Sequence, residues 1–151
     1  MANQVTLFTH AGDWKADVKA WKTNYLFYRS IGSEVTVYHR EQTKNIWGNT
    51  VTDWVKKPAS LIEITNVYHG SGPGAATRQK ACENASYCEL KEWAFGVTIT
   101  VETDTGDTSG GGGAILDIDS VDASVVVVIG DERLTGKVSA SSALSDNSIW
   151  G

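Results

Sequence analysis

Hydrophobic and polar residues alternate along much of the second half of the chain, a pattern typical of β-strands. Residues 93–103 alternate apolar and hydroxyl side chains, and residues 114–119 resume the pattern after a glycine-rich turn. Residues 123–129 include four consecutive valines and are followed by Gly130, which predicts a central strand covered on both faces. Residues 134–139 are predicted to form the last strand. This half of the chain is therefore expected to be almost entirely β.

The first half of the chain mixes strand signals with a second periodicity. Short apolar runs predict strands at residues 5–8 and 61–67. A hairpin is predicted from residues 26–30 and 35–39, with a turn over residues 31–34 that contains a glycine. These elements extend the β pattern toward the N-terminus.

Two segments share the pattern Trp-x-x-x-Val-x-x-Trp. The first copy holds Trp14, Val18 and Trp21, and the second holds Trp47, Val51 and Trp54. Because this spacing puts apolar side chains on one face of an α-helix, short helices are predicted at residues 13–24 and 47–54. Two copies are too few for a repeat array, and their flanking residues do not align, so we interpret the pair as a packing signature.

Together these elements predict about seven or eight strands with one or two short helices and no strand–helix alternation. The expected fold class is mainly β, a β-sandwich or a jelly-roll-like barrel. At 151 residues the chain has the size of one domain, so residues 1–151 are expected to form a single β-rich domain.

The charge balance narrows the range of partners. The net charge is −5 and the Lys and Arg residues are scattered, so no nucleic acid partner is expected. No apolar run is long enough to cross a bilayer, and the first residues lack the features of a signal peptide. We therefore expect no transmembrane segment and a soluble protein. The sequence as it stands indicates a cytoplasmic location, with secretion by a leaderless route left open.

The chain has only two cysteines, Cys82 and Cys88, too few for a structural zinc site. They lie at the end of a connection that begins with a glycine-rich segment and is predicted to be irregular over residues 70–87. Their spacing allows a short disulfide-closed loop in an oxidising compartment and two free thiols in a reducing one. Both outcomes stay open at this point.

Six tryptophans in 151 residues are the most distinctive feature of the composition. An indole combines a broad apolar face with a hydrogen-bond donor, which suits stacking on sugar rings. Around the second Trp copy lie polar side chains able to bind hydroxyl groups. The candidate ligand-binding residues are Trp47, Asn49, Asp53, Trp54, Tyr68 and His69. The alternative interpretation is that the indoles belong to the core and the polar residues to a solvated surface.

Metal and catalytic motifs are sparse. Asp104 and Asp107 are the candidate ligands of a calcium site, because carboxylate oxygens on a glycine-rich loop can bind this ion. No EF-hand pattern is present, and solvated charges at a sheet edge are the favoured explanation, so no cofactor is expected. No serine lies in a nucleophile elbow and neither cysteine has a catalytic signature around it, so we expect no enzyme and no catalytic residues.

These features favour a non-catalytic, lectin-like β-module that binds a glycan or glycolipid. A first alternative is a small membrane-acting β-toxin, in which residues 98–129 form an inserting hairpin with a polar tip. A second alternative is a self-assembling structural subunit of a viral particle, tube or inclusion, which forms a homo-oligomer through its strand edges.

Overall fold

A computed structural model describes residues 2–24, 28–71, 76–95 and 117–141. Within these ranges the chain forms nine strands and no helix: β1 (Ala2–Phe8), β2 (Trp14–Asn24), β3 (Tyr28–Lys44), β4 (Thr50–Lys56), β5 (Ala59–Ser71), β6 (Ala76–Ala85), β7 (Tyr87–Phe95), β8 (Asp117–Ile129) and β9 (Glu132–Ser141). Sheet A has the order β1-β2-β3-β4, with β7 also paired to β3, and sheet B has the order β6-β5-β8-β9. The prediction of a mainly β, sandwich-like fold is confirmed. None of the described residues forms a helix long and apolar enough to cross a membrane.

The two sheets pack through side chains that alternate along each strand. In β2, Ala16, Val18 and Ala20 are fully buried, and the residues between them face outward. Val125 and Val127 of β8 are buried in the same way from sheet B. Each fully buried valine stabilises the fold by about 1.5–3 kcal/mol relative to an exposed one, so this alternating row is the main source of stability.

The prediction of a helix over residues 13–24 is wrong, because this segment is strand β2. All of β2 pairs with β3, and its residues 15–21 also pair with β1. Side chains an odd number of positions apart point to opposite faces of a strand. Trp14 therefore packs against the core, whereas Trp21 faces outward. The helical spacing of the tryptophans was misleading, because the residues between them alternate between buried and outward-facing positions, as in a strand.

The predicted helix over residues 47–54 and the predicted hairpin over residues 26–39 are also wrong. Residues 28–44 form one long strand, and the chain reverses only after this strand, at residues 45–49 before β4. The glycine that suggested a turn, Gly32, lies within β3, where it pairs with β2 on one edge and β7 on the other. Pairing on both edges overrides the local turn signal.

Four predicted strands are confirmed. Residues 5–8 lie in β1, residues 61–67 in β5, residues 123–129 in β8 and residues 134–139 in β9, with β8 in the interior of sheet B. The valine run is not covered on both faces by the described residues, because Val126 and Val128 remain half-buried on the outer face. Residues 96–116, which include most of the predicted glycine-rich hairpin, lie outside the described ranges.

A disulfide joins the two sheets where the chain crosses from sheet B to sheet A. Cys82 on β6 and Cys88 on β7 are bonded, with their Cα atoms 5.9 Å apart. Between them Asn84 adopts a left-handed conformation, with a φ of 49°, that helps to reverse the chain. The prediction of an irregular connection over residues 70–87 is wrong, because β6 pairs with β5 over most of its length.

Candidate ligand-binding site

The outer face of sheet A carries a shallow cavity of about 270 Å³, which we call the sheet-A cavity. Its polar and aromatic lining residues are Lys19, Trp21, Thr23, Ser30, Glu34 and Glu89. Strand pairing brings these side chains together, because Thr23 is opposite Ser30 and Lys19 is opposite Glu34. Glu34 is in turn opposite Glu89 across β3 and β7. The cavity is thus a product of register among three strands.

Gly32 lies beside the cavity, between Ser30 and Glu34 on β3. It pairs with Trp21 on β2 and with Lys91 on β7, so one position between two large side chains carries no side chain. A Cβ atom at Gly32 would lie 2.4 Å from the carbonyl oxygen of Leu90 and 2.7 Å from the Cα of Lys91. Glycine is required here because β3 and β7 approach too closely for any larger residue.

Trp21 presents a fixed aromatic surface to the cavity. Its indole Nε1 donates a hydrogen bond to the Ser30 hydroxyl at 2.9 Å. Trp93 lies opposite Ser30 on β7, and its side chain is 55% exposed. Two indoles therefore flank the Ser30 position on the same face. An aromatic side chain that is already oriented loses little conformational entropy when it binds a ligand.

Two carboxylates, one on β3 and one on β7, meet at the cavity. Glu34 and Glu89 are directly opposite each other, and like charges at such positions destabilise a sheet. The Tyr87 hydroxyl lies 2.5 Å from Glu34 Oε2 and 3.0 Å from Glu89 Oε2. A phenol has one proton and donates to one acceptor at a time, so oxygens of this pair are left to accept bonds from a ligand.

Tyr87 remains a hydrogen-bond donor at physiological pH. Burial, and then hydrogen bonds to Glu34 and Glu89, raise the pKa of its hydroxyl far above the ordinary value. The carboxylates also have cationic neighbours, since Lys19 is opposite Glu34 and the Lys91 ammonium lies 3.6 Å from Glu89 Oε1. With two carboxylates and one lysine in its lining, the cavity favours neutral or cationic ligands over anionic ones.

The structure does not bring the six predicted site residues together. Trp47 and Asn49 lie in the turn before β4, Asp53 and Trp54 lie on β4, and Tyr68 and His69 lie on β5 of sheet B. Trp54 packs beside Phe8 on the outer face of sheet A, with ring centroids 6.2 Å apart. The Lys15 ammonium lies 4.8 Å from the Trp54 ring centroid. None of the six lines the sheet-A cavity.

Tyr68 belongs to the interior of the sandwich. Its side chain is fully buried, and its hydroxyl accepts a hydrogen bond from the Asn66 amide at 3.0 Å. Asn66 also donates to the Leu90 carbonyl at 3.0 Å and accepts from the Ser33 hydroxyl at 2.6 Å. This network links sheet A to sheet B and satisfies polar groups in the core, which is a structural role.

His69 takes part in a surface cluster on the outer face of sheet B. Its Nε2 lies 2.9 Å from Asp122 Oδ2, and Asp122 Oδ1 accepts a hydrogen bond from the Ser139 hydroxyl at 2.6 Å. These are the residue types of a hydrolytic triad, but the aspartate is in the centre. His69 therefore cannot take a proton from Ser139, and the cluster lacks the order that activates a nucleophile.

The candidate calcium ligands Asp104 and Asp107 lie outside the described residues. Across the part of the chain that the structure describes, no group of three or more His, Cys, Asp or Glu side chains could hold a metal ion.

Sequence reasoning missed the cavity residues because it assigned Trp21 to the apolar face of a helix. A strand assignment would have placed Lys19, Trp21 and Thr23 on one face, which was the available signal. No sequence signal pairs Glu34 with Glu89, since they meet only through the register of β3 and β7.

Comparisons with models of known protein families, with curated proteins and with solved structures give no match for this chain.

Proposed function

We propose that the protein is a non-catalytic glycan-binding module whose ligand lies in the sheet-A cavity. The observation that carries the proposal is the presence of the Trp21 indole and the acceptor oxygens of Glu34 and Glu89 around one depression. A sugar ring offers a C–H face that packs on an indole and hydroxyl groups that donate to carboxylates. Binding sites of this kind combine an apolar platform with a few placed polar groups.

The dimensions and charge of the cavity indicate which glycans fit. At about 270 Å³ it is slightly smaller than the pockets that enclose drug-sized ligands, which span about 300–1,000 Å³. A single sugar ring of a longer chain matches that size, with neighbouring rings lying across the open sheet toward Trp93. The negative lining favours neutral or amino sugars, whereas sialic acids and uronic acids are repelled by Glu34 and Glu89.

The first experiment is a glycan array followed by calorimetry with the neutral oligosaccharides that score. Trp21→Ala is expected to abolish binding, and Glu34→Gln or Glu89→Gln to weaken it about tenfold, the loss of one hydrogen bond to a charged group. Trp54→Ala is the matched control, because this indole lies on the same face of sheet A but outside the cavity.

Two results would contradict the proposal. The first is the absence of binding to any neutral or amino glycan at millimolar concentration. The second is an equal loss of binding in Trp54→Ala and Trp21→Ala while circular dichroism shows that both variants remain folded, because the ligand would then not lie in the cavity.

A further inference from the structure

The hairpin between β3 and β4 ends in two exposed hydrophobic side chains. Ile46 is 88% exposed and Trp47 is 77% exposed, the highest values among the large hydrophobic residues of the described ranges. We call residues 45–49 the hairpin tip. Leaving both side chains in water is unfavourable, and such a patch marks an interaction site.

The tip is ordered by its own hydrogen bonds. The Asn45 side-chain oxygen accepts from the backbone N–H of Trp47 at 2.9 Å and of Asn49 at 3.0 Å. Gly48 has a φ of 80° and donates its N–H to the Asn45 carbonyl at 3.0 Å. Ile46 and Trp47 therefore occupy the two central positions of a tight turn, where they are held outward before any partner binds.

The tip stands away from the rest of sheet A. The pairing of β2 with β3 ends at His39, and beyond Arg40 the described strands give β3 no partner other than β4. Between Glu34 at the sheet-A cavity and Lys44 at the tip, the strand spans roughly 30 Å at about 3.3 Å per residue. A surface that binds the tip would leave the cavity accessible.

The charge around the tip differs from that of the whole chain. Residues 42–52 contain a single charged side chain, Lys44, which gives a local charge of +1, whereas the chain carries −5. Lys44 is exposed and directly precedes the tip. This combination of side chains matches the layers of a bilayer surface. The Lys44 ammonium would lie among anionic headgroups, the Ile46 side chain in the acyl region and the Trp47 indole at the boundary between them.

We propose that the hairpin tip is a shallow docking element for anionic lipid surfaces, with Ile46 and Trp47 inserted below the headgroups. This function goes beyond glycan binding and uses a different part of the molecule. A narrow convex tip suits a bilayer, which deforms around it. A protein partner would instead need a matching pocket.

The test is co-sedimentation of the whole chain with vesicles of phosphatidylcholine alone and of phosphatidylcholine mixed with phosphatidylserine. We expect the chain to bind the mixed vesicles and expect this binding to weaken when the salt concentration is raised. In the double variant Ile46→Ser/Trp47→Ser, binding is expected to drop at least tenfold. Phe8→Ser is the matched control, because Phe8 is 55% exposed but packs beside Trp54, toward the end of β4 away from the tip. Brominated lipids are expected to quench less of the tryptophan emission in Trp47→Phe than in the unmodified chain.

Three results would overturn the proposal. One is the absence of binding to both kinds of vesicle. Another is an equal loss of binding in Phe8→Ser and in the double variant. The third is self-association that the double variant abolishes, measured by sedimentation velocity without lipid, because the tip would then be a contact between copies of the chain. None of these outcomes tests the proposed glycan binding at the sheet-A cavity, because the vesicles contain no sugar.

Discussion

The two Trp-x-x-x-Val-x-x-Trp segments share a pattern but not a structure. The first lies within β2, which is paired on both edges, and its central Val18 is fully buried. The second is divided between a turn and β4, which pairs with β3 alone among the described strands, and its central Val51 is only half-buried. The position of a segment in the sheet, and not its spacing of apolar residues, decides the role of each side chain.

The same contrast extends to the tryptophans and the glycines beside them. Trp21 lines the sheet-A cavity and lies opposite Gly32 on the neighbouring strand, whereas Trp47 is exposed in a turn that Gly48 allows. One glycine is required for a close approach between strands and the other for a left-handed backbone. Paired substitutions at equivalent places in the two segments test this difference directly.

The largest effect is expected at the central valines. Val18→Ala leaves a cavity between the two sheets and should lower the free energy of unfolding by about 2.5 kcal/mol. Val51→Ala should lower it by less than about 1 kcal/mol, because water already reaches this side chain. Urea denaturation measures both values, and equal losses would show that the second segment is as deeply packed as the first.

The glycines come next. Gly32→Ala should lower the free energy of unfolding by about 2 kcal/mol, because β3 and β7 must separate to admit a methyl group. Gly48→Ala should cost about 1 kcal/mol, since its Cβ meets nothing within 4 Å and only the positive φ is unfavourable. Amide hydrogen exchange distinguishes the causes, with β7 losing protection only in Gly32→Ala.

A smaller difference is expected between the two tryptophans of the second segment. Trp54→Ala removes the contacts with Phe8 and Lys15 and should lower the free energy of unfolding by about 1 kcal/mol. Trp47→Ala should change it by less than about 0.5 kcal/mol, because the side chain is largely in water. A stability loss at Trp47 equal to that at Trp54 would contradict the exposed position of the tip.

The smallest effect concerns contacts that run from Trp14 of the first segment to Lys57, which follows the second segment. The Trp14 ring lies 4.6 Å from the His39 ring, and His39 and Lys57 both reach Glu41 Oε2, at 3.3 and 3.0 Å. The hydrogen bond from Lys57, with a smaller contribution from His39, lowers the pKa of Glu41 below its ordinary value of 4.5. Because the folded pKa is the lower one, the stabilisation is present above pH 4.5 and disappears as the pH falls through the folded value.

Glu41→Gln is therefore expected to lower the urea midpoint slightly at neutral pH and to have no effect in strong acid. Added salt should reduce the effect, because the pair is exposed to solvent. Glu63→Gln, an exposed glutamate of sheet B, is the control. A Glu41→Gln loss that persists unchanged in acid would mean that the carboxylate charge is not its source.

The residues of the candidate site were harder to predict from the sequence than the fold was. The number of tryptophans indicated aromatic ligand-binding chemistry, but the residues selected for it were scattered over a turn, an edge strand and the core. Tyr68 was chosen for its polar hydroxyl, which in the structure serves the buried network with Asn66. A hydroxyl group in a sequence does not reveal whether its partner will be a ligand or a neighbouring strand.

The pattern of residue types along the chain was enough to predict its β character and several of its strands, such as residues 61–67 and 123–129. These follow from a period of two and from β-branched residues, which are local properties visible in a short window. Tertiary structure alone decided which face each tryptophan takes and which carboxylates meet. Glu34 and Glu89 lie on different strands far apart in the chain, and only the pairing of β3 with β7 sets their register.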